Sequence, residues 1–271
     1  MRTPVSLQVL SLLSSLVEER TGIAYDTRNY EIFADKVLAR AREVGFESVL
    51  DYYYFLRYDP GAGPEFNGLI EALVVTETYF FREAAPLRTI VEQILVPAIM
   101  RGARPRVWSA ACASGDEPLT IAMMLDEAGV LEATQIVASD LSLRASERAK
   151  ANGFGPRSLR SLPAGAQRWL RRDGERAHVE RRLLEAIEWR RVNLTEPGQV
   201  AALGKFDVVV CRNVLIYFAD ETVQRVVATI SGQLRPGGRL LVGASESLMR
   251  FGTLLECEER GGVFLYRRSE E

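Results

Sequence analysis

Apolar residues in the first 85 positions recur at helical spacing and nowhere alternate as strands do. Ser11–Arg20 places Leu12, Leu13, Leu16 and Val17 near one face. Tyr30–Val44 repeats the pattern with Ile32, Phe33, Val37, Leu38, Ala41 and Val44 and stops near Gly45. Phe46–Leu56 and Phe66–Val75 are two shorter helical candidates.

From about Pro105 the texture changes. Short apolar runs at Arg106–Ala110, Gln135–Ser139, Phe206–Cys211 and Arg239–Gly243 read as strands. Between them lie helices opening at Pro118, spanning Ser142–Asn152 and spanning Glu221–Leu234. Leu254–Arg267 forms two further strand-like runs around Gly261-Gly262, a hairpin signal. Strands alternating with helices predict an α/β, doubly wound, mostly parallel Rossmann-like sheet. The final hairpin adds an antiparallel edge, and a small all-α domain precedes the sheet. The expected domains are 1–85 and 86–271. Residues 155–190, rich in arginine and poor in apolar period, read as an inserted subdomain.

Composition narrows the classes. Hydrophobic residues make up 47% and charged residues 26%, which suits a packed core. A net charge of -2 argues against a nucleic-acid binder that works through phosphate contacts. Three scattered cysteines, Cys112, Cys211 and Cys257, form neither a disulfide framework nor a zinc motif. No metal is expected, and a reducing cytoplasm fits best. No stretch reads as a secretory signal or a membrane span. The single histidine, His178, sits in a charge-dense stretch and reads as a solvated surface residue. Chemistry built on a histidine base is therefore not expected.

The loop after the first strand, Ala110-Ala-Cys-Ala-Ser-Gly115-Asp-Glu117, is built of small residues. At the carboxyl end of a central strand it would let a ligand approach the backbone. It carries neither G-x-G-x-x-G nor a Walker A motif. It therefore reads either as a pocket for a nucleoside-type cofactor lacking a pyrophosphate or as an ordinary tight turn. Asp140, ending the second strand, suits ribose hydroxyls; the alternative is a helix N-cap, with Ser142 competing for that role. The Arg235-Pro-Gly-Gly238 turn before a strand and the final hairpin resemble class I methyltransferases, whose cofactor is S-adenosyl-L-methionine.

Two longer segments sharpen the resemblance. Thr76-Glu-Thr-Tyr-Phe-Phe-Arg-Glu83 is similar to the N-E-T-x-F-F-R-E segment of CheR-type chemoreceptor methyltransferases. Trp108-Ser-Ala-Ala-Cys-Ala-Ser-Gly-Asp-Glu-Pro118 is similar to that family's W-S-A-A-C-S-T-G-E-E-P. Ala138-Ser-Asp140, Val192-Asn-Leu194, Phe206–Phe218, Leu234–Gly238 and Ser245-Glu-Ser-Leu248 follow in the family's order, so the resemblance covers nearly the whole chain.

The resemblance implies a protein-glutamate O-methyltransferase acting on chemotaxis receptors, with S-adenosyl-L-homocysteine as product. Thr76, Thr78 and Arg82 would touch the cofactor, Thr76 standing where the family usually has asparagine. Glu117 would meet the methionine amino group, and Asp116 replaces the family's first acid. Asp140 would hold the ribose, Asn193 and Leu194 would border the adenine, and Cys211 and Arg212 would line the pocket. Arg82 and Tyr217 are the expected catalytic residues, orienting the acceptor carboxylate and packing beside the reactive methyl. Phe80 and Phe81 are expected in the core.

A basic N-terminal helix meets the receptor in the family. Lys36, Arg40 and Arg42 are the matching candidates here, against a plainly solvated face shared with Glu31, Asp35 and Glu43. A monomer is the default. Two alternatives remain: a methyltransferase of another protein or of a small carboxylate, and a non-catalytic module that senses the cofactor.

Overall fold

The computed structural model describes residues 6–25 and 30–270. The outer ends of the expected domains, residues 1 and 271, lie outside the described residues. The chain forms two compact units. One runs to Val75 and takes in Tyr217–Thr222; the other comprises Thr76–Ile216 and Val223 onward.

The smaller unit is helical: α1 (Leu7–Thr21), α2 (Tyr30–Glu43), α3 (Val49–Tyr58) and α4 (Gly63–Leu73). Leu13, Leu16, Val17, Phe33, Val37, Tyr52, Leu56, Leu69 and Leu73 bury almost completely in its core. The ends follow from the local sequence. Ser6 caps α1 by accepting from the Gln8 N–H. Gly22, left-handed at φ 78, closes α1 through its N–H to the Glu18 carbonyl. Ser48 caps α3 by accepting from the Asp51 N–H at 3.3 Å. The Tyr217–Thr222 segment joins this unit through a bridge between Ile23 and Phe218, with the Ala24 N–H donating to the Tyr217 carbonyl at 2.8 Å.

The larger unit holds a seven-stranded sheet in the order β5-β2-β1-β6-β7-β9-β8. Its strands are β1 (Arg106–Ala110), β2 (Gln135–Asp140), β5 (Ile187–Arg191), β6 (Phe206–Cys211), β7 (Leu234–Val242), β8 (Glu256–Arg260) and β9 (Val263–Arg267). A separate antiparallel pair, β3 (Leu170–Asp173) and β4 (Arg176–Val179), lies within the expected insertion. The first five strands of the sheet run parallel, and β9 and β8 add the antiparallel edge. Val107, Trp108, Ala138, Val208, Val209 and Val210 are buried, as strands covered on both faces require.

The helices are α5 (Ala84–Ile90), α6 (Val96–Met100), α7 (Asp116–Glu127), α8 (Leu143–Ala151), α9 (Pro156–Leu159), α10 (Arg181–Glu185), α11 (Pro197–Ala201) and α12 (Asp220–Gln233). A π-helical turn, Val91–Leu95, joins α5 to α6 just before Pro97, which has no N–H to continue the ladder.

Three details differ from the sequence reading. Ile187–Arg191, read as the end of the insertion, is the edge strand β5; Glu188, Arg190 and Arg191 give it the charge that hid its strand character. Arg235–Gly238, read as a turn before a strand, lies inside β7, which begins at Leu234, read as the end of the preceding helix. Pairing with β6 starts at Phe206–Leu234 and resumes at Val208–Arg239 across a bulge. Ala84–Met100 is helical where no helix was predicted.

Candidate active site

Strand order reverses between β1 and β6: the chain builds outward from β1 through β2 to β5, then returns to lay β6 and β7 on the other side. Ligands of open α/β sheets bind outside the carboxyl ends of strands at such a switch. The expected cofactor residues of the larger unit fall on or beside those ends. Glu117 opens α7 after β1. Asp140 ends β2, Asn193 and Leu194 follow β5, and Cys211 and Arg212 finish β6.

The backbone is strained in the same place. Among the described residues six non-glycine positions have positive φ, and five lie on three segments. They are Ala111 and Ala113 after β1, Phe81 and Glu83 before α5, and Asn213 after β6. Left-handed backbone costs a side-chain-bearing residue about 1–2 kcal/mol, so these loops keep their shape only because their surroundings hold it. The Cys112 N–H donates to the Ser139 carbonyl at 3.0 Å, and the Ala113 N–H to Asp140 Oδ2 at 2.8 Å.

Asp140 is not a helix cap. Ser142 takes that role, accepting from the Ala145 N–H at 3.0 Å. The Asp140 carboxylate instead ties two loops together, its Oδ1 accepting from the Ser142 N–H at 2.8 Å. Gly115 has a structural duty: a Cβ there would lie 2.7 Å from the Trp189 ring and 2.8 Å from the Ala149 Cβ, at a φ of 87°.

Arg212 is the centre of the charge network, its side chain only 2% exposed. Nη1 donates to Glu117 Oε2 at 3.1 Å; Nη2 donates to Glu83 Oε2 at 2.8 Å and to the Arg82 carbonyl at 3.2 Å. One guanidinium thus joins the strand β6 end, the helix α7 start and the Thr76–Glu83 segment. Glu117 also accepts from the Ser109 hydroxyl at 2.8 Å. Burial pushes the Glu117 carboxyl above the ordinary range, against the pull of Arg212 and Ser109. Burial likewise raises the Cys112 and Cys211 thiols far above their usual value, which leaves both unreactive.

Phe80 and Phe81 are buried core residues. The Phe80 N–H donates to the Ser158 carbonyl at 3.0 Å and the Phe81 N–H to Thr120 Oγ1 at 3.0 Å. The Phe80 ring meets Phe154 edge-on at 4.8 Å. Arg82 is half-buried, and its guanidinium makes one long hydrogen bond, Nη1 to the Glu77 carbonyl at 3.4 Å, with Glu83 at 3.9 Å. Arg160 pairs with Glu77 at 2.8 Å and stacks over Tyr79 at 4.0 Å. Thr76 and Thr78 are half-buried on a stretch without regular secondary structure.

Other expected residues are placed less directly. Tyr217 belongs to the helical unit. In that unit it and burial raise the Tyr25 hydroxyl to about 12, burial being the larger cause. Asn193 Oδ1 accepts from the Thr195 N–H and hydroxyl, forming a local turn beside buried Leu194. Cys211 is wholly buried at the end of β6. His178 is half-buried on β4, 3.8 Å from Asp173. Lys36 and Arg40, candidates for a partner surface, are taken up inside the helical unit. Lys36 Nζ donates to the Leu73 carbonyl at 3.1 Å, and Arg40 grips Glu65 through two bonds of 2.9 and 2.6 Å while Tyr52 donates to the same carboxylate at 2.6 Å. Arg42 is exposed.

Ser109 and Glu83 sit in the quoted motifs but had no role assigned from the sequence. Their motif position was the available signal; their pairing with Glu117 and Arg212 was not.

The larger unit also answers whether S-adenosylmethionine suits these residues. Glu117 is a buried carboxylate that shares the Arg212 guanidinium with Glu83, and Arg212 Nε is a buried donor without a partner among the described residues. An α-amino acid group offers the cation for the first and the acceptor for the second. Asp140 adds an oriented carboxylate for hydroxyls. Among the described residues no group of three His, Cys, Asp or Glu side chains is placed to hold a metal ion.

Comparison with known proteins identifies the family. The family of CheR methyltransferase SAM-binding domains matches residues 76–260. Chemotaxis protein methyltransferase 2 of Vibrio cholerae is 33% identical over 89% of this chain and 85% of its own length. Chemotaxis protein methyltransferase 1 of Pseudomonas aeruginosa is 34% identical over 88% and 89%. Chemotaxis protein methyltransferase of Klebsiella aerogenes is 33% identical over 91% and 85%. With the motif order, the strand-end site and these matches together, the chain belongs to the CheR family of S-adenosylmethionine-dependent methyltransferases.

Proposed function

We propose that this enzyme transfers a methyl group from S-adenosyl-L-methionine to glutamate side-chain carboxylates on the cytoplasmic signalling domains of chemotaxis receptors. Family membership supports the reaction class. The observation that carries the site reading is Arg212, which gathers Glu117, Glu83 and the Arg82 carbonyl at the carboxyl end of β6.

The bound cofactor supplies a methyl already activated on a sulfonium. A glutamate acceptor is already ionised at neutral pH, so no strong base is required, which fits a chain whose single histidine lies on β4. The protein's work is then alignment. Glu117 and Arg212 hold the amino-acid end of the cofactor, Asp140 its ribose, and Asn193 and Leu194 border its base. Thr76, Thr78 and the end of β6 at Cys211 complete the pocket wall. Arg82 fits acceptor binding: its side chain is partly exposed, its contacts to the Glu77 carbonyl, Glu83 and the Tyr79 ring are long, and a two-pronged hydrogen bond to an incoming carboxylate suits a guanidinium. Tyr217 is the second catalytic residue of this proposal. Union of an anion with a cation to give two neutral groups is favoured where water is excluded.

The helical unit presents the receptor surface in this proposal, with the cytoplasm as the place of action. Among the described residues no helix is long and apolar enough to cross a membrane. Because Lys36 and Arg40 are committed internally, a charge contribution from α2 falls mainly to Arg42. The chain acts as a monomer, with 1–85 and 86–271 as the working domains.

The test is transfer from radiolabelled S-adenosylmethionine to a purified receptor cytoplasmic fragment. Base-labile label on receptor glutamates is expected. Label on another protein or on small carboxylates, with none on receptors, rejects the acceptor; cofactor binding without transfer to any acceptor rejects the enzyme.

A further inference from the structure

Glu246 lies in the turn after β7, buried to 5% exposure. Its Oε2 accepts from the backbone N–H groups of Gly243 and Asn213, each at 2.7 Å. Its Oε1 accepts from Val214 at 2.8 Å and from Ile216 at 3.3 Å. Gly243 has to be glycine for this approach: a Cβ there would stand 2.5 Å from Glu246 Oε2 and 3.1 Å from the Asn213 nitrogen. The turn has its own anchor, since the Leu248 N–H donates to the Tyr266 hydroxyl at 2.8 Å.

We propose that Glu246 is a positioning residue for methyl transfer: from the end of β7 it gathers the main chain of Asn213–Ile216 and so fixes where the preceding Arg212 holds Glu117 and Glu83. The inference rests on the reading of that network as the cofactor's seat.

Three observations carry it. The loop begins with Asn213 in left-handed backbone at φ 58°, a conformation that its surroundings must impose. Asn213 and Val214 are half-buried and Ile216 is 55% exposed, so packing of their side chains alone does not hold this loop. What the carboxylate adds is direction, a nest of N–H dipoles converging on one buried anion. Both oxygens are used twice, which selects glutamate over glutamine. An amide keeps one accepting oxygen and turns an NH2 toward two N–H donors. Aspartate keeps both oxygens on a shorter arm.

The test compares Glu246→Gln, Glu246→Asp and the control Tyr266→Phe. The control removes the neighbouring Leu248 acceptor and leaves the 213–216 loop untouched. S-adenosylhomocysteine affinity is measured by calorimetry, turnover with a receptor fragment, and thermal midpoint by circular dichroism. Glu246→Gln should weaken S-adenosylhomocysteine binding and lower kcat by about ten- to hundredfold, the scale on which small misplacements act. The KM for receptor should be unchanged. Glu246→Asp should recover part of the loss. Tyr266→Phe should lower the midpoint and leave affinity as in wild type.

Wild-type affinity and kcat in Glu246→Gln overturn the proposal. So does an equal affinity loss in Tyr266→Phe, which would make Glu246 merely structural. If Glu246→Gln does not fold, Glu246→Asp decides alone, and wild-type affinity in it overturns the proposal. Hydrogen exchange on the wild type adds an independent arm: the Asn213, Val214 and Ile216 amides should be protected, and free exchange there contradicts the nest. A wild type that binds S-adenosylhomocysteine but methylates no receptor rejects the acceptor reading alone, and the affinities still decide Glu246.

Discussion

Replacing Arg212 with methionine removes a guanidinium of similar volume whose side chain is 2% exposed and which holds two carboxylates and a carbonyl. Breaking a buried ion pair by deleting one partner costs about 3–5 kcal/mol, because the other charge stays desolvated. Glu83, with its side chain 37% exposed, regains water and adds little. Glu117, at 14%, does not. The expected loss is therefore near the lower end, about 3 kcal/mol.

The loss should depend on pH in a defined direction. Burial already lifts the Glu117 carboxyl above its ordinary 4.5, and deleting Arg212 lifts it further. Between the unfolded and folded values, the folded state then holds a proton that the unfolded chain has released. Stability of the variant consequently falls as pH rises through the folded value and recovers as pH drops toward the unfolded one. Urea denaturation at about pH 8 and about pH 5.5, followed by circular dichroism, should show the larger deficit at the higher pH. Combining Arg212→Met with Glu117→Gln should restore part of the stability, with a coupling of about 1–3 kcal/mol. A deficit below about 1 kcal/mol at both pH values, with additive single effects, would refute the clamp.

Arg82→Ala and Tyr217→Phe should each lose most methyl transfer in the labelled-receptor assay while circular dichroism shows an intact fold; wild-type turnover in both removes their catalytic assignment. Gly115→Ala should cost about 2–4 kcal/mol, combining left-handed backbone with collision against Trp189 and Ala149. An unchanged thermal midpoint would contradict that packing. Arg40→Ala should cost about 2 kcal/mol by stripping Glu65 of its two bonds. Arg42→Glu should leave the midpoint alone and slow receptor methylation at low salt only. A salt-independent effect would count against electrostatic docking.

Much of this was legible in the chain itself. Clean apolar runs such as Phe206–Cys211 and Gln135–Asp140 mark central strands because both faces are covered. β5 escaped because an edge strand carries charge at Glu188, Arg190 and Arg191, the composition of a solvated loop. Ala84–Met100 escaped because Pro86 and Pro97 punctuate it, one in a first turn and one after a widened turn. At the site, motif order pointed to Glu117, Asp140 and Arg212. The use of each could only come from three dimensions. That Arg212 spans to Glu83, 129 positions away, is a consequence of the sheet order. So is Glu246 reaching Asn213 across 33 positions. Lys36 and Arg40 stand one helical turn apart, and their internal partners, the Leu73 carbonyl and the Glu65 carboxylate, were not legible from that spacing.

A crystal of the chain grown with S-adenosylhomocysteine puts the central claim to the most direct test. Density is expected beyond the carboxyl ends of β5, β2, β1 and β6, with the ligand's amino group on Glu117 and its ribose hydroxyls on Asp140. Ligand bound elsewhere, or seated there with Glu117 and Asp140 turned away, would contradict it.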